Sequence, residues 1–395
     1  MKVVCVGGGS GGHVTPVLAV INELSALEPT LKVSFICDKA FEAQSRGLME
    51  HAAVKVKVYT VTAGKLRRYH GIPLWKQLLD LPTVFHNVRD VFKVVVGTIQ
   101  SYGLLSRLNP DVIFAKGGYV CLPVGLAAHI KGIPLVIHDS DTKPGLTNTV
   151  LSRWATRIAT GAPLQNYNYP KEISKYVGVP IHEDFHPFDE QEQRAAKEKL
   201  GVSDLAKPLL VVTGGGLGAK SINEAVVEIA PELLRSGLSI YHITGKQHHA
   251  ALEARAPKHA DYQSVAFVYK DMAQVLGAAD IVIARGSATF LQELAALQKA
   301  VIIIPAEHLA DQVKNAAVFE EAEAAIVLHD AMITKRPVAL LEAVQQLVDE
   351  PAEAHHIAAQ LHTFARPHAA ADVAAMIVET ARVKKKPVET GSGAL

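Results

Sequence analysis

Short apolar runs alternate along the chain with longer stretches in which apolar side chains recur every three or four positions. In the first half the runs are Val3–Val6, Val33–Cys37, Val54–Val58, Val112–Ala115 and Leu135–Ile137, with amphipathic stretches between most of them. That alternation predicts a parallel sheet with helices on both faces. The second half restarts the pattern. Leu209–Val212 reads as a strand, "TGGGLGAKS" as its turn and Ile222–Leu234 as the helix that follows. Ser239–Ile243, Val265–Tyr269, Ile281–Ala284 and Val301–Ile304 continue the series. Prolines, asparagines and charges break the rhythm around residues 163–208, which sets a linker near Val177–Pro180. The alanine-rich segment Glu353–Val383 predicts helix, and the tail "KKKPVETGSGAL" predicts disorder.

A length of 395 residues fits two such α/β domains, each with its own core. A net charge of +1 supplies no global field for nucleic acid, and no basic, aromatic-rich motif compensates for that. Cys5, Cys37 and Cys121 stand singly, which predicts reduced thiols and a cytoplasmic address. The sequence enters a strand directly, with no signal-peptide pattern, and no apolar run reaches the ~18–20 residues that span a bilayer.

The candidate chemistry sits in three glycine-rich strand-to-helix turns. "GGGSGGHVTP" at 7–16 satisfies G-x-G-x-x-G, a second turn covers Gly214–Gly218, and "RGSATFLQE" at 285–293 follows the strand "DIVIA". Such turns present unpaired N–H groups at the positive end of a helix, where anions bind. Glycine also serves tight turns for backbone reasons alone. Three turns at the carboxyl ends of strands, spread over two domains, nevertheless point to a phosphate-bearing ligand. A dehydrogenase would use Asp38, which ends "VSFICD", to hold a ribose. It would need neither His13 immediately after the glycines nor a second phosphate loop some 200 residues on.

Taken in order, these segments resemble the MurG family of glycosyltransferases over most of the chain. "GGGSGGHVTPVLAV" is similar to its first loop, and "KGGYVCLPVGLAAHIKGIPLVIHDSDTKPGLTN" to its second signature. "VVTGGGLGAKSIN", "ARGSATFLQELAALQKAVIIIP" and "ADQVKNA" are similar to the donor-side motifs. The resemblance implies a GT-B architecture, in which two Rossmann-like doubly wound parallel-sheet domains face a cleft. It divides the chain into an acceptor and membrane-side domain (1–178), a UDP-sugar domain (179–364), a helix returning to the first domain (365–384) and the tail (385–395).

It also implies roles. Gly215, Gly216 and Leu217 line the donor side, and Val268 lies near the uracil. Ala288, Thr289 and Phe290 meet the diphosphate through backbone amides. Glu293 holds the ribose, and Gln312 with Asp311 reads the sugar hydroxyls. Ser10, Gly11 and Gly12 approach the donor from the first domain, while Gly117, Gly118 and Tyr119 belong to the lipid-diphosphate side.

The implied reaction is inverting transfer of GlcNAc from UDP-GlcNAc to the C4 hydroxyl of undecaprenyl-pyrophosphoryl-MurNAc-pentapeptide, converting lipid I to lipid II. His13 is the candidate base, with no cofactor or metal required. Two positions depart from the family pattern on the donor side. Asp141 stands where an asparagine is usual, and His182 where an arginine is. Asp139-x-Asp141 also imitates a metal-binding D-x-D, against the flanking context. The lipid acceptor implies peripheral contact with the inner leaflet, on the cytoplasmic face. Residues 64–81, "GKLRRYHGIPLWKQLLDL", pair Lys65, Arg67 and Arg68 with Ile72, Leu74, Trp75, Leu78 and Leu79 and could anchor there or pack in the core. The rival readings are a related enzyme glycosylating diacylglycerol or another polyprenyl carrier, and a non-catalytic nucleotide-sugar-binding protein.

Overall fold

A computed structural model of the chain describes residues 1–8, 11–65, 81–216, 218–268 and 271–383, without the side chains of 11–13 and 81–84. The basic and apolar segment within 66–80 and the tail at 384–395 lie outside the described residues. The chain divides into two compact units, Met1–His182 with His368–Leu395, and Glu183–Pro367.

The first unit is a seven-stranded parallel sheet. Its strands are β1 (Lys2–Val6), β2 (Lys32–Asp38), β3 (Val56–Val61), β4 (Val112–Ala115), β5 (Leu135–Asp139), β6 (Arg157–Thr160) and β7 (Ser174–Tyr176). They lie in the order β3-β2-β1-β4-β5-β6-β7. Successive residues of β1 feed opposite faces. Val3 and Cys5 pack with Val17, Ile21 and Leu24 of the helix Gly11–Leu27 and with Val373 and Ile377 of the helix Ala369–Val383. Val4 and Val6 pack with Leu105 of the helix Leu81–Leu108 and Val124 of the helix Cys121–Ile130. Both faces are therefore dry, which explains the unbroken apolar strands in the sequence.

The second unit repeats the plan with β8 (Leu209–Thr213), β9 (Ser239–Ile243), β10 (Tyr262–Val265), β11 (Ile281–Ala284), β12 (Ala300–Ile303) and β13 (Ile326–Val327). Its six-stranded order is β10-β9-β8-β11-β12-β13. In each sheet the strand order reverses beside the first strand, between β1 and β4 and between β8 and β11. Ligands of doubly wound sheets collect at the carboxyl ends of such strand pairs.

Three expectations need correction. The strand expected at Val54–Val58 runs Val56–Val61, because the β-prone residues continue through Tyr59, Thr60 and Val61 and pair with β2 up to Asp38↔Val61. The strand expected at Val265–Tyr269 is Tyr262–Val265, fixed by parallel pairing with Ile240–Ile243. Phe267 has left the ladder and lies 5.3 Å beneath the Lys246 ammonium. Glu353–Val383 is not one helix but two, Pro351–His362 and Ala369–Val383. Pro367 disfavours helix at Arg366. Phe364 is held outside both helices by its ring contact with Phe319 at 4.8 Å and by the Gln292 amide donating to its carbonyl.

Candidate functional site

In the first unit the carboxyl edge is built from the ends of β1, β2, β4 and β5. After Val6 the chain turns through Gly7 and Gly8, where a Cβ on Gly8 would lie 2.9 Å from Asp38 Oδ2 and 3.0 Å from a Val120 methyl. Only a bare backbone fits there. Asp38 itself accepts from the Ala40 N–H and caps its own turn, a local duty that needs no ribose. Ser10 lies outside the described residues; Gly11, Gly12 and His13 form the first turn of the helix Gly11–Leu27. That turn puts unpaired N–H groups and the positive helix end at the edge of β1.

Beside it, Lys116 continues β4 by donating its N–H to Val6. Gly117 and Gly118 then take φ of 121° and 85°, a left-handed region that glycine enters freely. Tyr119 is half-buried, and burial together with the nearby Asp38 carboxylate pushes its hydroxyl up to about 12. At the end of β5, Asp139 accepts from the Tyr169 hydroxyl at 2.7 Å and the Gly145 N–H at 3.1 Å. Burial nevertheless raises its carboxyl to about 7. With one oxygen so engaged and Lys116 nearby, Asp139 is poorly disposed to serve as half of a metal-binding D-x-D. Asp141 is half-buried, and its backbone carbonyl accepts from the Tyr167 hydroxyl. His182 is half-buried at the end of this unit's first segment.

The second unit offers two loops at the same kind of edge. Gly215 and Gly218 have φ of 81° and 78°, and a Cβ on Gly218 would lie 2.3 Å from the Thr244 carbonyl oxygen. Gly216 is exposed, whereas Leu217 lies outside the described residues. Val268 is half-buried beyond β10. After β11 the helix Ala288–Ala296 begins without a side-chain cap, so the N–H groups of Ala288, Thr289 and Phe290 have no carbonyl within the helix. A diphosphate oxygen is the kind of acceptor such a turn favours.

Two turns of this loop are fixed from behind. The Arg285 guanidinium donates to Asp330 at 2.8 Å, to the Ile304 carbonyl at 3.0 Å and to Ser221 at 3.0 Å. Asn315 donates to the Gly286 carbonyl. Glu293 is buried in the second turn of the helix and has no hydrogen-bond or ion-pair partner among the described residues. Burial alone raises its carboxyl to about 8. Gln312 accepts the Ala306 N–H through Oε1, which orients its amide and leaves the NH₂ group as a donor. Asp311 is exposed one residue earlier.

Among the described residues, Gly117, Gly118, Tyr119 and Asp141 follow strand ends of the first unit, and Gly215, Gly216, Ala288, Thr289 and Phe290 follow strand ends of the second. Sequence reading missed three supports: Lys116, the Tyr169–Asp139 contact and the Arg285–Asp330 pair. A cation directly after an apolar strand was the available signal for Lys116 and Arg285.

Residues 3–160 match the glycosyltransferase family 28 N-terminal domain, and residues 209–373 its C-terminal domain. A protein of Shouchella clausii named UDP-N-acetylglucosamine–N-acetylmuramyl-(pentapeptide) pyrophosphoryl-undecaprenol N-acetylglucosamine transferase is 35% identical over 355 residues, 88% of this chain and 90% of its own. A Bacillus anthracis protein with the same name, numbered 2, is 34% identical over 88% of this chain and 91% of its own. The chain belongs to the MurG family of glycosyltransferases.

The crystal structure of Acinetobacter baumannii MurG agrees, with a TM-score of 0.69 and 26% identity over 96% of this chain and 99% of that one. The calicheamicin glycosyltransferase CalG4 shares the fold at a TM-score of 0.65, with 14% identity over 98% of this chain and 99% of that one. Membership of the MurG family is consistent with two Rossmann-like units of the GT-B class.

Proposed function

We infer that this MurG-family chain transfers GlcNAc from UDP-GlcNAc to the C4 hydroxyl of MurNAc in undecaprenyl-pyrophosphoryl-MurNAc-pentapeptide, turning lipid I into lipid II for peptidoglycan. The carrying observation is the 35% identity that extends through both domains to a transferase of that name. UDP-GlcNAc is the donor substrate. Its ribose hydroxyls donate to Glu293, whose buried carboxylate otherwise lacks a partner. Its diphosphate meets the N–H groups of Ala288, Thr289 and Phe290, which stabilise the charge that grows on departing UDP without having to reorganise. Gln312 and Asp311 read the sugar, Gly215, Gly216 and Leu217 shape the same side, and Val268 flanks the uracil. From the first domain come Ser10, Gly11, Gly12, Asp141 and His182. The acceptor lies along Gly117, Gly118 and Tyr119. His13 takes the C4 proton as the oxygen attacks the anomeric carbon, an effect of about 10²–10⁴-fold. The displacement is single and inverting.

The enzyme works at the cytoplasmic face as a peripheral protein. No helix among the described residues is long and apolar enough to cross a membrane. Instead, the helix Leu81–Leu108 carries Phe85, Val88, Phe92, Val95 and Ile99 outward, between 52% and 69% exposed. Their three- and four-residue spacing makes one apolar stripe, with Arg89 and Lys93 beside it for an anionic leaflet.

A panel of acceptors tests the reading. UDP release from UDP-GlcNAc is expected with lipid I and not with diacylglycerol. The reverse result would replace this function by glycolipid synthesis, and donor binding without turnover on any acceptor would replace it by nucleotide-sugar binding.

A further inference from the structure

The second unit holds a run of buried polar side chains that the roles above leave unused. His242 in β9 is fully buried, and so is Asn223 near the start of the helix Lys220–Arg235. His242 Nδ1 lies 2.8 Å from the Tyr262 hydroxyl of β10, and its Nε2 lies 3.0 Å from Asn223 Oδ1. The Asn223 amide donates in turn to the Thr244 carbonyl at 2.8 Å. A carbonyl can only accept, so the NH₂ group faces Thr244 and the amide oxygen faces the imidazole. His242 must then carry its proton on Nε2 and accept the Tyr262 hydroxyl on Nδ1. Burial, and after it the charge of His249, pull the ring's pKa down to about 4, so near neutrality it keeps this single proton.

The run ends on the Thr244 carbonyl, and that oxygen is also the atom nearest Gly218. A Cβ on Gly218 would lie 2.3 Å from it and 2.9 Å from the Gly245 Cα. Gly218 closes the glycine turn after β8, donating its N–H to the Gly215 carbonyl. Here backbone packs directly on backbone, with no flexible side chain between to absorb a shift. The Asn223 amide therefore holds the surface on which the turn rests, and the imidazole holds the amide.

We propose that His242 is a positioning residue for donor binding, which through Asn223 fixes the Thr244 carbonyl and with it the shape of the Gly214–Gly218 turn. The role rests on the donor reading above, in which Gly215, Gly216 and Leu217 line the UDP-GlcNAc side. It is directional, because only Nε2 leads to the turn, whereas Nδ1 leads to β10.

Two substitutions separate the ends of the ring. A glutamine amide reaches the place of Nε2 and an asparagine amide that of Nδ1, so each keeps one hydrogen bond and loses the other. His242→Asn weakens UDP-GlcNAc binding about tenfold by titration calorimetry and raises the UDP-GlcNAc KM to match, with kcat and the lipid I KM within about twofold of the parent. His242→Gln stays within about threefold of the parent in donor affinity and KM. A purely structural histidine would lower the melting temperature in both variants and leave the donor affinity of the folded protein unchanged in both. That result, equal losses of affinity, or a larger loss in His242→Gln overturns the proposal. If either variant does not fold, the His242 Nε2–H proton resonance of the parent decides: displacement on adding UDP supports the role, and an unmoved resonance overturns it. A parent protein that binds UDP-GlcNAc but releases no UDP with lipid I overturns the proposed acceptor alone. One that does not bind UDP-GlcNAc overturns the donor reading and this role with it.

Discussion

Glu293 is placed against the stability of its own domain. In the unfolded chain its carboxyl titrates near 4.5, and burial in the fold raises it to about 8. The folded state therefore holds the extra proton between those values. The favourable contribution is complete below about 4.5 and is lost as pH rises through 8. A partnerless buried acid persists where a ligand supplies the partner, here the ribose hydroxyls. Glu293→Gln is thus expected to melt several degrees higher than the parent at pH values above 8, and to bind UDP-GlcNAc roughly tenfold or more weakly. Melting curves and titration calorimetry check both halves; a variant that melts lower and binds equally well would contradict the assignment. His13→Ala is expected to keep donor affinity and lose about 10²–10⁴-fold in turnover. Unchanged turnover would remove His13 as the base.

Among the elements, the helix Leu81–Leu108 does two jobs with two faces. Its inner face packs Val94, Leu104 and Leu105 into the core. Gly97 lets it close on β3, for a Cβ there would lie 1.9 Å from the Thr62 carbonyl oxygen. The outer stripe of Phe85, Phe92 and Ile99 makes no such contribution, being more than two-thirds exposed. Replacing those three by serine should leave the melting temperature within about 2 °C, since exposed positions carry little stability. The same variant should lose co-sedimentation with vesicles containing anionic phospholipid. Undiminished vesicle binding would move the membrane contact elsewhere on the chain.

Over the whole molecule, the doubly repeated strand, glycine turn and helix made the two α/β units readable from sequence, because sheets buried on both faces leave long apolar runs. Shorter strands escaped. Arg157–Thr160 mixes polar with apolar residues, and Ser174–Tyr176 and Ile326–Val327 carry too few residues to declare a period. The break between His362 and Ala369 was obscured by alanine-rich flanks that both favour helix, with only Pro367 marking it. At the site, the glycines, Glu293 and Gln312 stood in recognisable local motifs. The supports did not, because they are made across the fold: Tyr169 reaches Asp139 from 30 residues away, and Arg285 reaches Asp330 from 45. Lys116 likewise reaches Ser140 from 24 residues away.

The decisive measurement is product analysis with purified protein, UDP-GlcNAc and lipid I. One UDP should be released for each lipid II formed, with a β-linked GlcNAc on the muramyl C4 oxygen, as a single inverting displacement requires. UDP release without sugar on the lipid, or an α-linked product, would contradict that chemistry.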